Sequence, residues 1–190
     1  MISGRLVFVN EVSAGAFSDF AENQHNWTLN DERDPDADFD EDRPSVSWTT
    51  PVGLVTFIDD TVVRCQYIEM TVSSVVDVES KVREIFSCYD REEALANMDL
   101  EQDEVCVRRD YRLVACVAGD YNHRVFELAI EGLRSSRSDI RESALIIPQY
   151  THWVEFIPEV TRLGESDPDS TVRRIAGGIS VLLEFVAELE

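Results

Sequence analysis

The chain has 190 residues, 44% of them hydrophobic, which suffices for the core of one domain or two small ones and excludes an intrinsically disordered polymer. Thirty-eight Asp and Glu oppose seventeen Lys and Arg, a formal net charge of -21. Phosphate binding needs clustered cations, so this balance argues against direct binding to nucleic acid or to anionic membranes, and it points to a basic protein partner.

Acids outnumber bases 11 to 3 over residues 1–50, 14 to 7 over 51–118 and 13 to 7 over 119–190, so the acidity is global. Lys81 is the only lysine, a bias that GC-rich coding or a high-salt proteome would also produce. Cys65, Cys88, Cys106 and Cys116 have irregular spacing and no CxxC pair, which predicts reduced thiols. The first residues, MISGRLVFVNEV, lack the long apolar run of a leader, and eighteen apolar residues never run together. These features predict a cytoplasmic protein that does not engage a membrane.

In chain order, Leu6–Asn10 has the composition of a short strand, and Ala14–Glu22 places Phe17, Phe20 and Ala21 on one helical face. Residues 31–42, DERDPDADFDED, hold eight carboxylates and predict a solvated surface loop. The alternation of Asp34, Asp36, Asp38, Asp40 and Asp42 lacks the glycine and bidentate glutamate of a calcium loop, since Phe39 and Ser45 stand there. No metal is expected, and these residues with Glu41 become candidate partner-binding groups. Val52–Ile58 and Val62–Val72, rich in β-branched and aromatic residues around Asp59-Asp60, predict a β-hairpin over 52–72. A helix follows from Asp77 and Glu79 to about Cys88, then a short one over Glu92–Met98. The resulting division is an α/β part over 1–74 and a helical domain over 75–190.

The helical part repeats. Ser138-Asp139-Ile140-Arg141-Glu142-Ser143-Ala144 aligns with Ser170-Thr171-Val172-Arg173-Arg174-Ile175-Ala176 at a shift of 32, and a shift of 33 from Arg141 reaches Arg108. In the last unit, Pro158 lies early in a first helix, Asp167-Pro168-Asp169 breaks the chain, and Asp169 or Ser170 caps a second helix from Val172 toward Ala187. On these motifs, residues 99–190 resemble the HEAT-repeat family, most closely in the last unit, well in Val125–Tyr150 and weakly in Asp99–Gly119. The resemblance implies a mainly α fold, α+β overall, with a C-terminal α-α superhelix of about three hairpins beside an N-terminal part with a β-hairpin. It also implies that Arg108, Arg141 and Arg173 hold the stack together by pairing with acids of adjacent units, Asp139 and Asp169 being suitable mates. Pro148 should end or kink the second helix of the middle unit, and Gly177-Gly178 suggests close approach by a neighbouring helix.

Motifs for chemistry are sparse. His25, His123 and His152 are isolated, and P-loop, GxGxxG, GxSxG and HExxH patterns are missing, which predicts neither catalysis nor a cofactor. Trp27, Trp48 and Trp153 suit packing, although Tyr150, His152 and Trp153 follow the Pro148 break, where side chains can leave a stack and contact a partner. The expected function is protein binding. A small, acidic, motif-poor chain of this kind is similar to bacterial immunity proteins, which implies an inhibitor that masks a basic toxin. The alternatives are a nucleic-acid mimic that occupies a DNA- or RNA-binding protein, and a HEAT-type enzyme or lyase with a cavity of convergent acids or histidines.

Overall fold

The computed structural model describes residues 1–33, 44–61 and 63–189. The fold is mixed α+β, and the chain divides into two units, Met1–Glu93 and Ala94–Glu190.

Unit 1 is built on an antiparallel sheet of β1 (Ile2–Phe8), β2 (Thr28–Arg33), β3 (Ser45–Thr50), β4 (Gly53–Asp60), β5 (Cys65–Val72) and β6 (Cys88–Tyr89), in the order β2-β3-β4-β5-β1-β6. The expected hairpin is its centre: β4 pairs with β5 from Gly53↔Val72 to Asp60↔Cys65. The connection is longer than a turn at Asp59-Asp60, because both aspartates belong to β4 and Asp60 Oδ1 accepts the Val63 N–H at 3.0 Å. At the β3–β4 turn, Gly53 has φ +143 and its Cα faces the Thr71 carbonyl so closely that a side chain would collide with it.

Alternation along the strands sends Leu6, Phe8, Trp48, Val55, Phe57, Ile68 and Met70 to one face. That face is covered by α1 (Ala14–Ser18), which continues as a π-helical segment over Asp19–Gln24, and by α2 (Val75–Ile85). Phe17 is the hub, with ring centroids 5.3 Å from Phe20 and Phe57 and 5.4 Å from Trp48. Because α2 buries Val78 and Val82 in this same core, it belongs to the sheet unit, and the division falls at Glu93/Ala94 instead of 74/75. The expected helix to Cys88 stops at Ile85, where the chain turns extended to pair Phe8↔Cys88. Likewise Asp31–Arg33, assigned above to the acidic loop, pair with β3 as the end of β2.

A capping box opens α3 (Arg91–Ala96): Asp90 Oδ1 accepts the Glu93 N–H and Glu93 Oε2 accepts the Asp90 N–H, each at 2.9 Å. Arg83 from α2 then donates to Glu93 at 2.7 Å and to the Cys88 carbonyl at 3.1 Å, tying the end of unit 1 together.

Unit 2 is helical: α4 (Glu104–Ala118), α5 (His123–Leu133), α6 (Ser138–Ala144), α7 (Ile146–Thr151), a 3-10 turn at Val154–Phe156, α8 (Ile157–Ser166) and α9 (Ser170–Leu189). Helix α5 packs on α6 and α8 on α9, while α4 contacts α6 and α7, and α6 contacts α9. Apolar residues at three- and four-residue steps fill the space between them, among them Val107, Tyr111 and Val114 of α4, Val125, Ala129 and Leu133 of α5, and Val172, Ala176, Ile179 and Leu183 of α9. Within Asp99–Gly119 the expected hairpin is the single helix α4, since Asp99 and Asp103 spend their carboxylates on backbone N–H groups of Glu101 and Cys106 in a turn and a cap.

The break foreseen at Pro148 is present. A proline has no N–H to donate to the Ala144 carbonyl, and the helix is interrupted at Leu145, between α6 and α7. The glycine expectation is corrected: a Cβ on Gly177 or Gly178 would meet nothing within 4 Å, and the close crossing of α8 and α9 needs Gly164 instead, where an added Cβ would stand 3.1 Å from the Gly177 Cα. A second contact of this kind was not anticipated. The buried Tyr111 ring lies against Gly132 of α5, where a Cβ would collide with its Oη and come within 2.8 Å of the Ala144 Cβ.

Two alanine substitutions should therefore move stability in opposite directions. Gly132→Ala overpacks the α4–α5 contact and should cost about 1–3 kcal/mol. Gly177→Ala, whose Cβ would meet nothing within 4 Å, should gain up to about 1 kcal/mol from helix propensity. Urea unfolding checks both, and a neutral Gly132→Ala would contradict the packing described.

Candidate interaction surface

The repeat-position arginines are structural in their geometry. Arg141, 7% exposed, makes a bidentate pair with Asp167 of the α8–α9 turn, Nε to Oδ2 at 2.7 Å and Nη2 to Oδ1 at 2.8 Å. Its remaining nitrogen donates to the carbonyls of Ser135 and Ser136 at 2.9 and 3.1 Å, so the whole guanidinium is engaged. Arg108 of α4 bridges Glu104 on its own helix, at 3.0 Å, and Glu142 on α6, at 3.1 Å. Arg173 donates to the Asp167 carbonyl.

The mates differ from those expected. Asp169 caps α9, accepting from the Thr171 and Val172 N–H groups at 2.7 and 3.2 Å, which leaves Asp167 to receive Arg141. Asp139 is held by Arg137 at 2.6 Å, and Arg137 also donates to the Leu100 carbonyl ahead of α4, at 3.2 Å. A further bridge, absent from the sequence reading, joins Arg134 at the end of α5 to Glu159 of α8 at 3.1 Å, with Arg162 on the same carboxylate at 2.6 Å.

These pairs leave their mark on the carboxyls. The Arg141 guanidinium holds Asp167 below the usual aspartate range against the opposing effect of burial, and Arg137 does the same for Asp139. Burial would raise Glu159, but the hydrogen bonds from Arg134 and Arg162 together overcome it and leave that carboxyl lowered.

Of the candidate partner-binding residues, Asp34, Asp36, Asp38, Asp40, Glu41 and Asp42 lie outside the described residues. The other three cluster where the chain leaves α7. Tyr150 is half-buried, His152 is exposed with φ +56 and donates its N–H to the Pro148 carbonyl, and Trp153 is 8% exposed. Trp153 is mainly a packing residue: its ring stacks on Phe156 at 6.0 Å and meets Tyr121 edge-on at 5.1 Å. Tyr121, 46% exposed in the α4–α5 link, is the aromatic that does face outward here. Its only sequence signal is its place in the polar turn Gly119-Asp120-Tyr121-Asn122, just before Asn122 caps α5.

Unit 1 holds an open pocket of about 560 Å³ whose lining includes Val9, Asn10, Arg83, Phe86, Cys88 and Tyr89. Burial pushes the Cys88 thiol up to about 11, so it is protonated at neutral pH, and Arg83 is committed to Glu93. Among the described residues, no three His, Cys, Asp or Glu are arranged to hold a metal ion, and no helix is long and apolar enough to cross a membrane. Trp27 and Trp48 are buried in the unit 1 core, Trp48 donating to Glu22 at 3.0 Å.

No protein-family model matches the chain, and no curated protein or solved structure matches it. Its geometry therefore carries the reading of its role. That geometry sets arginines committed to intramolecular pairs, Arg141 alone of them buried, against exposed carboxylates such as Glu11, Asp77, Asp120, Glu155 and Glu165.

Removing one member of a buried ion pair strands the other, so Arg141→Ala should cost about 3–5 kcal/mol in urea unfolding. The depressed carboxyls also fix the acid response. Their contribution is complete above the ordinary carboxylate range, about pH 4, and is lost as pH falls through the lowered folded-state values. Asp167→Asn should flatten that acid limb, and an unchanged acid profile in the variant would exclude the assignment.

Proposed function

We propose that the chain is a protein-binding module that engages a basic protein through its acidic surface, and that its biological role is to inhibit that partner as an immunity-type protein inhibits a toxin. The observation that carries this reading is the disposition of charge. Arg83, Arg108, Arg137 and Arg141 are committed to intramolecular ion pairs, Arg141 in a buried one, while carboxylates such as Glu11, Asp77, Asp120, Glu155 and Glu165 stand exposed on a chain of net charge -21. A field of one sign speeds encounter with an oppositely charged partner, while aromatic anchors supply affinity. Tyr121, packed edge-on against Trp153, and the exposed His152 are the anchors of choice in unit 2.

Unit 2 suits this role as a compact stack of HEAT-like hairpins. In support, Pro158 occupies the first turn of α8, the Asp167-Pro168-Asp169 turn precedes α9, and α4, α6 and α9 contact one another in succession, as second helices of stacked repeats would. Such stacks typically present broad surfaces for macromolecules.

The binding claim is tested by capturing partners from a native extract at about 0.1 M salt, where the Debye length is about 10 Å, and at 1 M, where it is about 3 Å. A basic protein should bind at the lower salt and elute at the higher. Capture that is indifferent to salt, or of an acidic partner, would refute the charge mechanism. With the partner in hand, changing Asp34, Asp36, Asp38 and Asp40 to Asn should slow association roughly tenfold without shifting the unfolding midpoint.

A further inference from the structure

The last helix of unit 2 has two apolar sides. One is buried against α6 and α8 through Val172, Ala176, Ile179 and Leu183. The other is open: Val181 is 68% exposed, Phe185 59% and Leu189 71%. Exposed residues Arg174, Gly178, Val181, Phe185 and Glu188 succeed one another at steps of four and three, so they form a single stripe along α9.

We infer that this stripe is the seat of a second copy of the same chain, with the two α9 helices antiparallel across a twofold axis near Val181. A twofold operation exchanges positions equally distant from the axis, so the stripe must complement its own reverse. It does so in shape and in charge. Val181 meets Val181 at the centre. To either side, Gly178, three residues from Val181, comes opposite Phe185 of the other copy, four residues from it, an offset of about 1.5 Å of helix rise. A Cβ built on Gly178 meets nothing within 4 Å, so the glycine leaves a hollow for that ring. At the ends, Arg174 comes opposite Glu188, giving two intermolecular ion pairs. In a parallel arrangement Arg174 would face Arg174 and Glu188 would face Glu188, so the charges select the antiparallel one. A uniformly basic partner would have no use for Arg174 in the stripe, which separates this surface from the acidic one of the preceding section.

The net charge of -21 on each copy opposes association, so the dimer should form at micromolar concentrations and above, in salt near 0.15 M where the Debye length is about 8 Å. Sedimentation equilibrium of the full chain should then give twice the 21.6 kDa monomer mass, falling to one on dilution. Phe185→Asp should be monomeric throughout, with unaltered circular dichroism. Arg174→Glu and Glu188→Arg should each be monomeric alone, yet mixing them should restore a one-to-one dimer, because every end contact then joins opposite charges. Three results would overturn the inference: a monomeric parent chain across the range, a dimer that survives Phe185→Asp and both charge reversals, or charge-reversed chains that fail to associate when mixed.

Discussion

The buried pair between Arg141 and Asp167 is the constraint on which unit 2 depends. Its guanidinium is nearly withdrawn from water, and each of its three nitrogens has an acceptor, from two carboxylate oxygens of Asp167 and two carbonyls in its own turn. A charge in that position is tolerable only when fully paired. Its demand therefore fixes the α8–α9 turn relative to α6, and the more exposed pairs Arg108 to Glu142 and Arg134 to Glu159 add links between α4 and α6 and between α5 and α8. Arg108, Arg134 and Arg141 thereby spend their charge on contacts between helices of unit 2.

Unit 1 is held by different means. Its sheet carries one dense aromatic layer, in which Phe17 of α1 meets Phe8, Trp48 and Phe57 from the strands, and Phe20 packs on Phe17, Trp27 and Phe86, at edge-on, tilted or stacked geometries. Such pairs add about 0.5–1.5 kcal/mol each beyond the area they bury. On the opposite face Arg5 lies over the Tyr67 ring and pairs with Glu69, so a cation serves the sheet as others serve the helices. Apolar packing sets the shape of unit 1, and ion pairs set the register of unit 2.

What could be read from the sequence follows from how local each signal is. The helices of unit 2 were legible because their apolar spacing recurs at 32–33 residues, and the break after Ala144 because Pro148 has no N–H for the carbonyl four residues upstream. The central hairpin was legible from its β-branched runs. Strands β2 and β3 were not, since Thr28–Arg33 is polar and merges into the acidic run, and Ser45–Thr50 gains its meaning only from neighbours on both sides. The partner of Arg141 was hidden for a related reason: Asp167 and Asp169 are equivalent in sequence, and only the claim of the α9 backbone on Asp169 decides between them. Exposure of Tyr121 and burial of Trp153 depend on how the α4–α5 and α7–α8 links meet, which no local pattern records.

The most direct measurement is a double-mutant cycle on Arg141 and Asp167, comparing Arg141→Met, Asp167→Asn and the double variant by urea unfolding. If the pair joins the hairpins as described, the double variant loses much less stability than the two single variants together, with a coupling of about 1–3 kcal/mol. Additive losses, with a coupling near zero, would mean that the two side chains act independently and that something else holds the stack.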